Sequence, residues 1–222
     1  MCQGSVVKSV RTRGRPPIRS DEEILRAALS VFAAKGYDAT SVRALSAELG
    51  LSHETVHQRF GSKQSLYNAA VEFGVVAVNA SFAAARANWP DELEGVDELR
   101  ATVHSFITAA SRHPEVGRLV NQEGDEDGER LDQLLEAVLR PWADALGALL
   151  QQLVDAGTIR PVTTREVFFL VQAAAGPFNL HRLSAVFDPL DGPLDPDHHV
   201  DNMTEFILRG LSATTAEPER NQ

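Results

Sequence analysis

The chain has 222 residues, 43% of them hydrophobic, with a formal net charge of −10. That length suits one large domain or two small ones with a substantial buried core. The single cysteine, Cys2, excludes an intramolecular disulfide and a cysteine-based metal centre, and it suits a reducing compartment.

The acidic total hides an asymmetry. Residues 1–63 carry ten Lys/Arg against six Asp/Glu, a net of +4, whereas residues 64–222 carry eleven against twenty-five, a net of −14. All three lysines, Lys8, Lys35 and Lys63, lie in the basic part. A basic module on a larger acidic body suggests a nucleic-acid-binding head joined to something else. The longest uncharged apolar-rich runs, 73–85 and 167–180, fall short of the ~20 residues that cross a bilayer. The opening MCQGSVVKSV lacks the apolar centre of a signal peptide. The expectation is a cytoplasmic protein with no membrane partner.

In chain order, residues 1–19 form a basic arm: KSVRTRGRPPIR holds five basic groups and no acid, and Gly14, Pro16 and Pro17 disfavour a helix. Such an arm binds phosphates or enters a minor groove, with Arg15 as a candidate contact. Ser20 and Glu23 read as a capping box, and Ile24, Leu25, Ala28, Leu29 and Phe32 recur at helical spacing up to Gly36. Thr40 reads as the cap of a second helix with the stripe Val42, Leu45, Leu49. Ser52 caps a short third helix with Val56 and Phe60 inward. Only Gly50-Leu51-Ser52 separates the two helices, so they must cross steeply. The small Ser46 suits that crossing, and the pattern is a helix-turn-helix. Ser62 and Lys63 restart the chain in a long fourth helix ended at Trp89-Pro90.

The remainder reads as helices over 98–112, 115–122, 131–156 (kinked at Pro141), 165–187 (capped by Thr164 and bent or interrupted at Gly176-Pro177) and from Asp195-Pro196 to about residue 211. Residues 213–222 read as a disordered tail. No strand pattern and no internal repeat is present. The fold class is all-α: an N-terminal three-helix helix-turn-helix domain, residues 20–75, and a C-terminal helical domain, residues 76–212.

The third helix contains His53-Glu54-Thr55-Val56-His57, a literal H-E-x-x-H. On a helix that pattern can hold zinc with Glu as general base, so an all-α zinc hydrolase is one rival reading. A helical interaction protein with a vestigial head is another. Against zinc, Val56 and Phe60 turn both histidines outward, the helix has about two turns, and nothing specifies a third ligand. The same outward face carries His53, Thr55, His57, Gln58 and Arg59, which can bond base edges or phosphates. Glu54 can accept from cytosine N4. EGDEDGER (123–130) lacks the calcium-loop spacing, and the Asp/His group at 195–201 is explained by helix capping. No cofactor and no metal is expected.

These residues resemble the N-terminal domain of the tetracycline-repressor (TetR) family over about residues 14–75. The marks are Leu29-x-x-Phe32, Lys35-Gly36-Tyr37, Thr40-Ser41-Val42-Arg43, Gly50-Leu51-Ser52 and Phe60-x-Ser62-Lys63. The resemblance implies a homodimeric, nucleoid-associated bacterial repressor on a near-palindromic DNA operator, released by an unidentified small-molecule inducer. It places Thr40 and Lys63 at helix N-termini facing phosphates and Arg43 at a base or phosphate. Thr55, His57 and Gln58 become the base readers, beside His53. The family pattern has Tyr at His57 and often Lys at His53 and Gly at Glu54, so the reading surface is this chain's own. The last two helices are expected to pair across a dimer, with Val171, Ala174, Phe206, Ile207 and Leu211 as candidates. A ligand pocket among the middle helices is expected to be lined by Trp89, Phe106, Trp142, Phe168, Phe178 and His181. No enzymatic activity follows from the resemblance.

Overall fold

In a computed structural model, which describes residues 19–123, 136 and 139–213, the chain is all-helical. Among the described residues there is no strand, only an isolated antiparallel bridge between Ile159 and Ser212. The basic arm with Arg15, the acidic stretch 124–130 and nearly all of the tail lie outside the described residues.

The head is built from α1 (Asp21–Lys35), α2 (Val42–Glu48), α3 (His53–Phe60) and the first turns of α4 (Lys63–Arg86). Each start is a serine cap. Ser20 Oγ accepts from Glu23 N while Glu23 Oε2 accepts from Ser20 N, closing the capping box. Ser41, Ser52 and Ser62 cap the other three by accepting from the amide three residues on. Ser41, not the expected Thr40, therefore caps α2. Thr40 is buried and its hydroxyl donates backwards to Gly36 O at 2.7 Å.

The turn between α2 and α3 follows from Gly50, whose φ of +70° only glycine adopts without strain. Leu51 N donates to Ser46 O and Gly50 N to Ala47 O, the two bonds of a Schellman ending. Ser46 is buried at the crossing and satisfies its hydroxyl on Val42 O. Beneath, Ile24, Phe32, Leu45, Val56, Leu66 and Tyr67 form one buried cluster. Phe32, Tyr37 and Tyr67 meet at 5.0–6.0 Å between ring centres.

The body holds α5 (Gly95–Arg112), α6 (Pro114–Glu123), α7 (Arg140–Asp155), α8 (Thr164–Ala174), the short helices α9 (Gly176–Asn179), α10 (His181–Ser184) and α11 (Asp188–Asp191), and α12 (Pro196–Leu211). Its core gathers Leu99, Val103, Ile107, Leu146, Leu150, Val167, Val171 and Leu211. Several expected boundaries move. α4 ends at Arg86, ahead of Trp89-Pro90, and α5 begins at Gly95, ahead of residue 98. Of the 131–156 segment, Arg140–Asp155 is α-helical with Pro141 in its first turn, Glu136 and Leu139 are π-helical, and 131–135, 137 and 138 lie outside the described residues. Thr163 caps α8 in a second capping box with Glu166, correcting Thr164. The 165–187 segment is interrupted at Gly176-Pro177: the helix ends at Ala174 and short pieces follow, because Pro177 cannot continue the ladder.

By length and composition alone α4, which contains the uncharged run 73–85, is apolar enough to cross a bilayer. Here it packs along α1 and α5 and links head to body. α6 joins the same seam. Its Val116 and Leu119 complete the head's buried cluster, and Gln122 Nε2 donates to Ala33 O at 3.0 Å.

Candidate functional site

α3 grips the head with Val56, which is 1% exposed, and presents His53, Glu54, His57, Gln58 and Arg59 to solvent. The imidazoles of His53 and His57 lie 6.2 Å apart between ring centres, one turn along the exposed face. Among the described residues, no three His, Cys, Asp or Glu side chains are grouped to hold a metal ion. The acidic and histidine residues around 195–201 are likewise dispersed. Asp195 caps α12, His199 bonds Ala174 O and Asp201 faces His104.

The expected DNA-contacting residues fall into distinct environments. Gln58 and Arg43 are exposed. Thr55 shares its hydroxyl with the Ser52 cap at 2.8 Å. Lys63 turns inward, donating to Asp38 O at 3.2 Å and lying 4.4 Å above the Tyr37 ring. Thr40 is buried. These two are held by contacts within the head, whereas His53, His57, Gln58 and Arg43 are exposed. Arg59, read only as part of that face, ties α3 to the start of α1. Its Nε meets Asp21 Oδ1 at 3.0 Å and its Nη1 donates to Arg19 O at 2.7 Å.

A cavity of about 560 Å³ lies between α4, α5, α6, α7, α8 and α9. Its wall is mostly apolar, with Val78, Phe82, Phe106, Val120, Trp142 and Leu149. Phe106 and Trp142 are lining residues as expected. Phe168 backs Trp142 at 5.5 Å between ring centres. Trp89 instead meets His104, Phe178 packs on His199, and His181 is exposed on α10, so these three, like Phe168, lie outside the lining. The unforeseen polar lining comprises Asn79, Arg86, Glu98, Thr102, His113, Gln172 and Asn179.

The expected dimer residues also divide. Val171, Ala174, Ile207 and Leu211 are buried within this chain's own core, because the α8–α5–α12 packing claims that side of each helix. Phe206, 69% exposed, remains outside, alongside Phe169 and Leu170. Leu180, Leu183, Val186, Phe187 and Leu190 of the short-helix segment are exposed as well.

Residues 24–70 match the model of bacterial regulatory proteins of the tetR family. Residues 96–207 match that of the tetracyclin repressor-like C-terminal domain, half of the chain by itself. The chain belongs to the TetR family. It is a helix-turn-helix transcriptional regulator. A TetR-type relative, the HTH-type transcriptional repressor NicS of Pseudomonas putida, is 26% identical over 147 residues; the match covers 65% of this chain and 66% of NicS, just under two thirds of its length. AibR, solved in complex with isovaleryl coenzyme A and operator DNA, superposes with a TM-score of 0.67 at 21% identity, covering 84% of this chain and 96% of its own. The ketosteroid transcriptional regulator KstR2 of Mycobacterium tuberculosis also gives 0.67, at 16% identity, over 92% of this chain and 97% of its own. These structures share the TetR fold.

Proposed function

We propose that this protein is a cytoplasmic, homodimeric repressor that holds a near-palindromic DNA operator through α3 and releases it when a small molecule fills the cavity. Residues 20–75 act as the DNA-binding unit and 76–212 as the regulatory unit. The carrying observation is the polar outer face of α3, held from behind by Val56 and flanked by a basic head within an acidic chain. His57, Gln58 and Thr55 read bases, with His53 and Arg43 beside them; the Ser62-capped end of α4 faces a phosphate.

The dimer rests on Phe169, Leu170 and Phe206. Three large apolar side chains exposed on adjoining helices suit a second copy of the same face. The cavity connects to the head through α6: Gly117 and Val120 line it while Val116 and Leu119 sit in the head's core. A ligand that favours one placement of α6 and α4 therefore biases head spacing, and only that difference in affinity shifts the equilibrium.

The test is selection of bound DNA from a random pool. Enrichment of a sequence with two-fold symmetry is expected. Recovery of unselected sequence would refute a specific operator.

A further inference from the structure

Resting on the reading of the cavity as a ligand site, we infer that its ligand is an uncharged, predominantly apolar molecule. It carries an oxygen that accepts from the Trp142 indole N–H and a second polar group that bonds the Asn179 carboxamide.

Two observations bear on charge. Arg86 is tied down at the wall: Nη2 donates to Glu98 Oε2 at 2.6 Å and Nη1 to Pro90 O at 3.0 Å. Its charge is cancelled by Glu98, which has no further cation among the described residues. His113 is held by the Ser81 hydroxyl at 2.7 Å and faces Glu115 at 3.6 Å. An anion entering this space would have to draw Arg86 from its carboxylate, leaving the half-buried Glu98 with only the Thr102 hydroxyl at 3.5 Å.

Two further observations bear on polar contacts. Trp142 Nε1 and Asn179 Oδ1 are buried atoms without hydrogen-bond partners among the described residues. Asn179 is only 3% exposed. Both residues line the cavity. A buried donor or acceptor left unmade is expensive, and protein interiors seldom keep one. Here the donor and the carboxamide belong to two residues that line the same apolar space, and such groups are how ligand sites set orientation. Asn179 is also packed against α6 so closely that a Cβ on Gly117 would stand 2.5 Å from Oδ1. A ligand bonded to Asn179 therefore presses on the helix that reaches the head.

The experiment is calorimetric titration of the full chain, without DNA, using four probes: methyl decanoate, decanol, decanoate and decanoyl-CoA. Methyl decanoate and decanol are expected to bind at one per chain, at least about tenfold more tightly than decanoate. Trp142→Phe is expected to weaken methyl decanoate roughly three- to tenfold, and Asn179→Leu to weaken decanol by a similar factor. The inference is overturned if decanoate or decanoyl-CoA binds as tightly as the ester, if neither uncharged probe binds, or if both variants fold and leave affinity unchanged. Should a variant fail to fold by circular dichroism, the ester-to-anion ratio on the unaltered chain decides. DNA release is read separately by anisotropy. An uncharged probe that binds without releasing DNA sinks the inducer reading alone; a charged probe that binds and releases it sinks the ligand class alone.

Discussion

Arg59, in the last turn of α3, meets Asp21, the first residue of α1, at 3.0 Å across 38 positions of sequence. The same guanidinium holds Arg19 O, so the angle at which α3 leaves the head is tied to the point where the basic arm begins. Asp21 is 64% exposed, so the ion pair contributes at most about 1 kcal/mol to folding. Its effect on binding should be larger. Arg59→Ala is expected to change the unfolding midpoint little and to weaken DNA roughly tenfold, measured by anisotropy beside a denaturant curve. A large stability loss with unchanged DNA affinity would refute the assignment.

The exposed apolar face gives a second prediction. Phe206→Glu places a charge where a partner chain is expected, while Val171 and Leu211 remain in the core. Sedimentation should show a monomer, with the helical spectrum retained. A dimer that survives both Phe206→Glu and Phe169→Glu would remove this face as the interface.

That division of α8 and α12 also shows where sequence stops being informative. Caps at Ser20, Ser52 and Ser62 are local, set by residues three apart, and could be read from the chain. So could the helix-turn-helix, since Gly50 and Leu51 leave little freedom between α2 and α3. The neighbouring pairs Thr40/Ser41 and Thr163/Thr164 could not be resolved, because either residue has a capping hydroxyl and the choice depends on where the first helical turn closes. Nor could Val171 be told from Leu170. Both are apolar, and only the packing of α5 decides which side is core. Asn179 was missed for a related reason: its significance comes from Gly117, 62 positions away.

The close approach of α1, α4 and α6 yields a third prediction. A Cβ on Gly74 would meet Val116 Cγ2 at 2.9 Å and Leu29 Cδ2 at 3.0 Å, both in the buried cluster. Alanine would gain up to about 1 kcal/mol of helix propensity, but overpacking costs typically 1–3 kcal/mol. Gly74→Ala should therefore lower the unfolding free energy from a denaturant curve by about 1 kcal/mol net. A stabilised variant would mean that α6 moves freely here.

Acid should act through the two capping boxes. The Glu166 carboxyl is held below its ordinary value of 4.5, chiefly by the Thr163 amide and then its hydroxyl. Glu23 is held down by the Ser20 amide and then Arg19. A depressed carboxyl stabilises the folded state above its ordinary value, and that contribution is lost as pH falls through the folded value. Glu166→Gln keeps the capping geometry without the charge. It should be less stable than the parent near pH ~6, with the gap closing by pH ~3. A gap independent of pH would remove the charge from the explanation.

The central claim is that the outer face of α3 reads DNA. Anisotropy of a duplex selected from a random pool, titrated with the parent, His57→Ala and Gln58→Ala at several salt concentrations, tests it most directly. The account predicts a steep fall of affinity with salt, and a loss of roughly five- to a hundredfold in each variant on that duplex but not on unrelated DNA. Equal binding by parent and variants, with zinc bound stoichiometrically at His53 and His57, would contradict it.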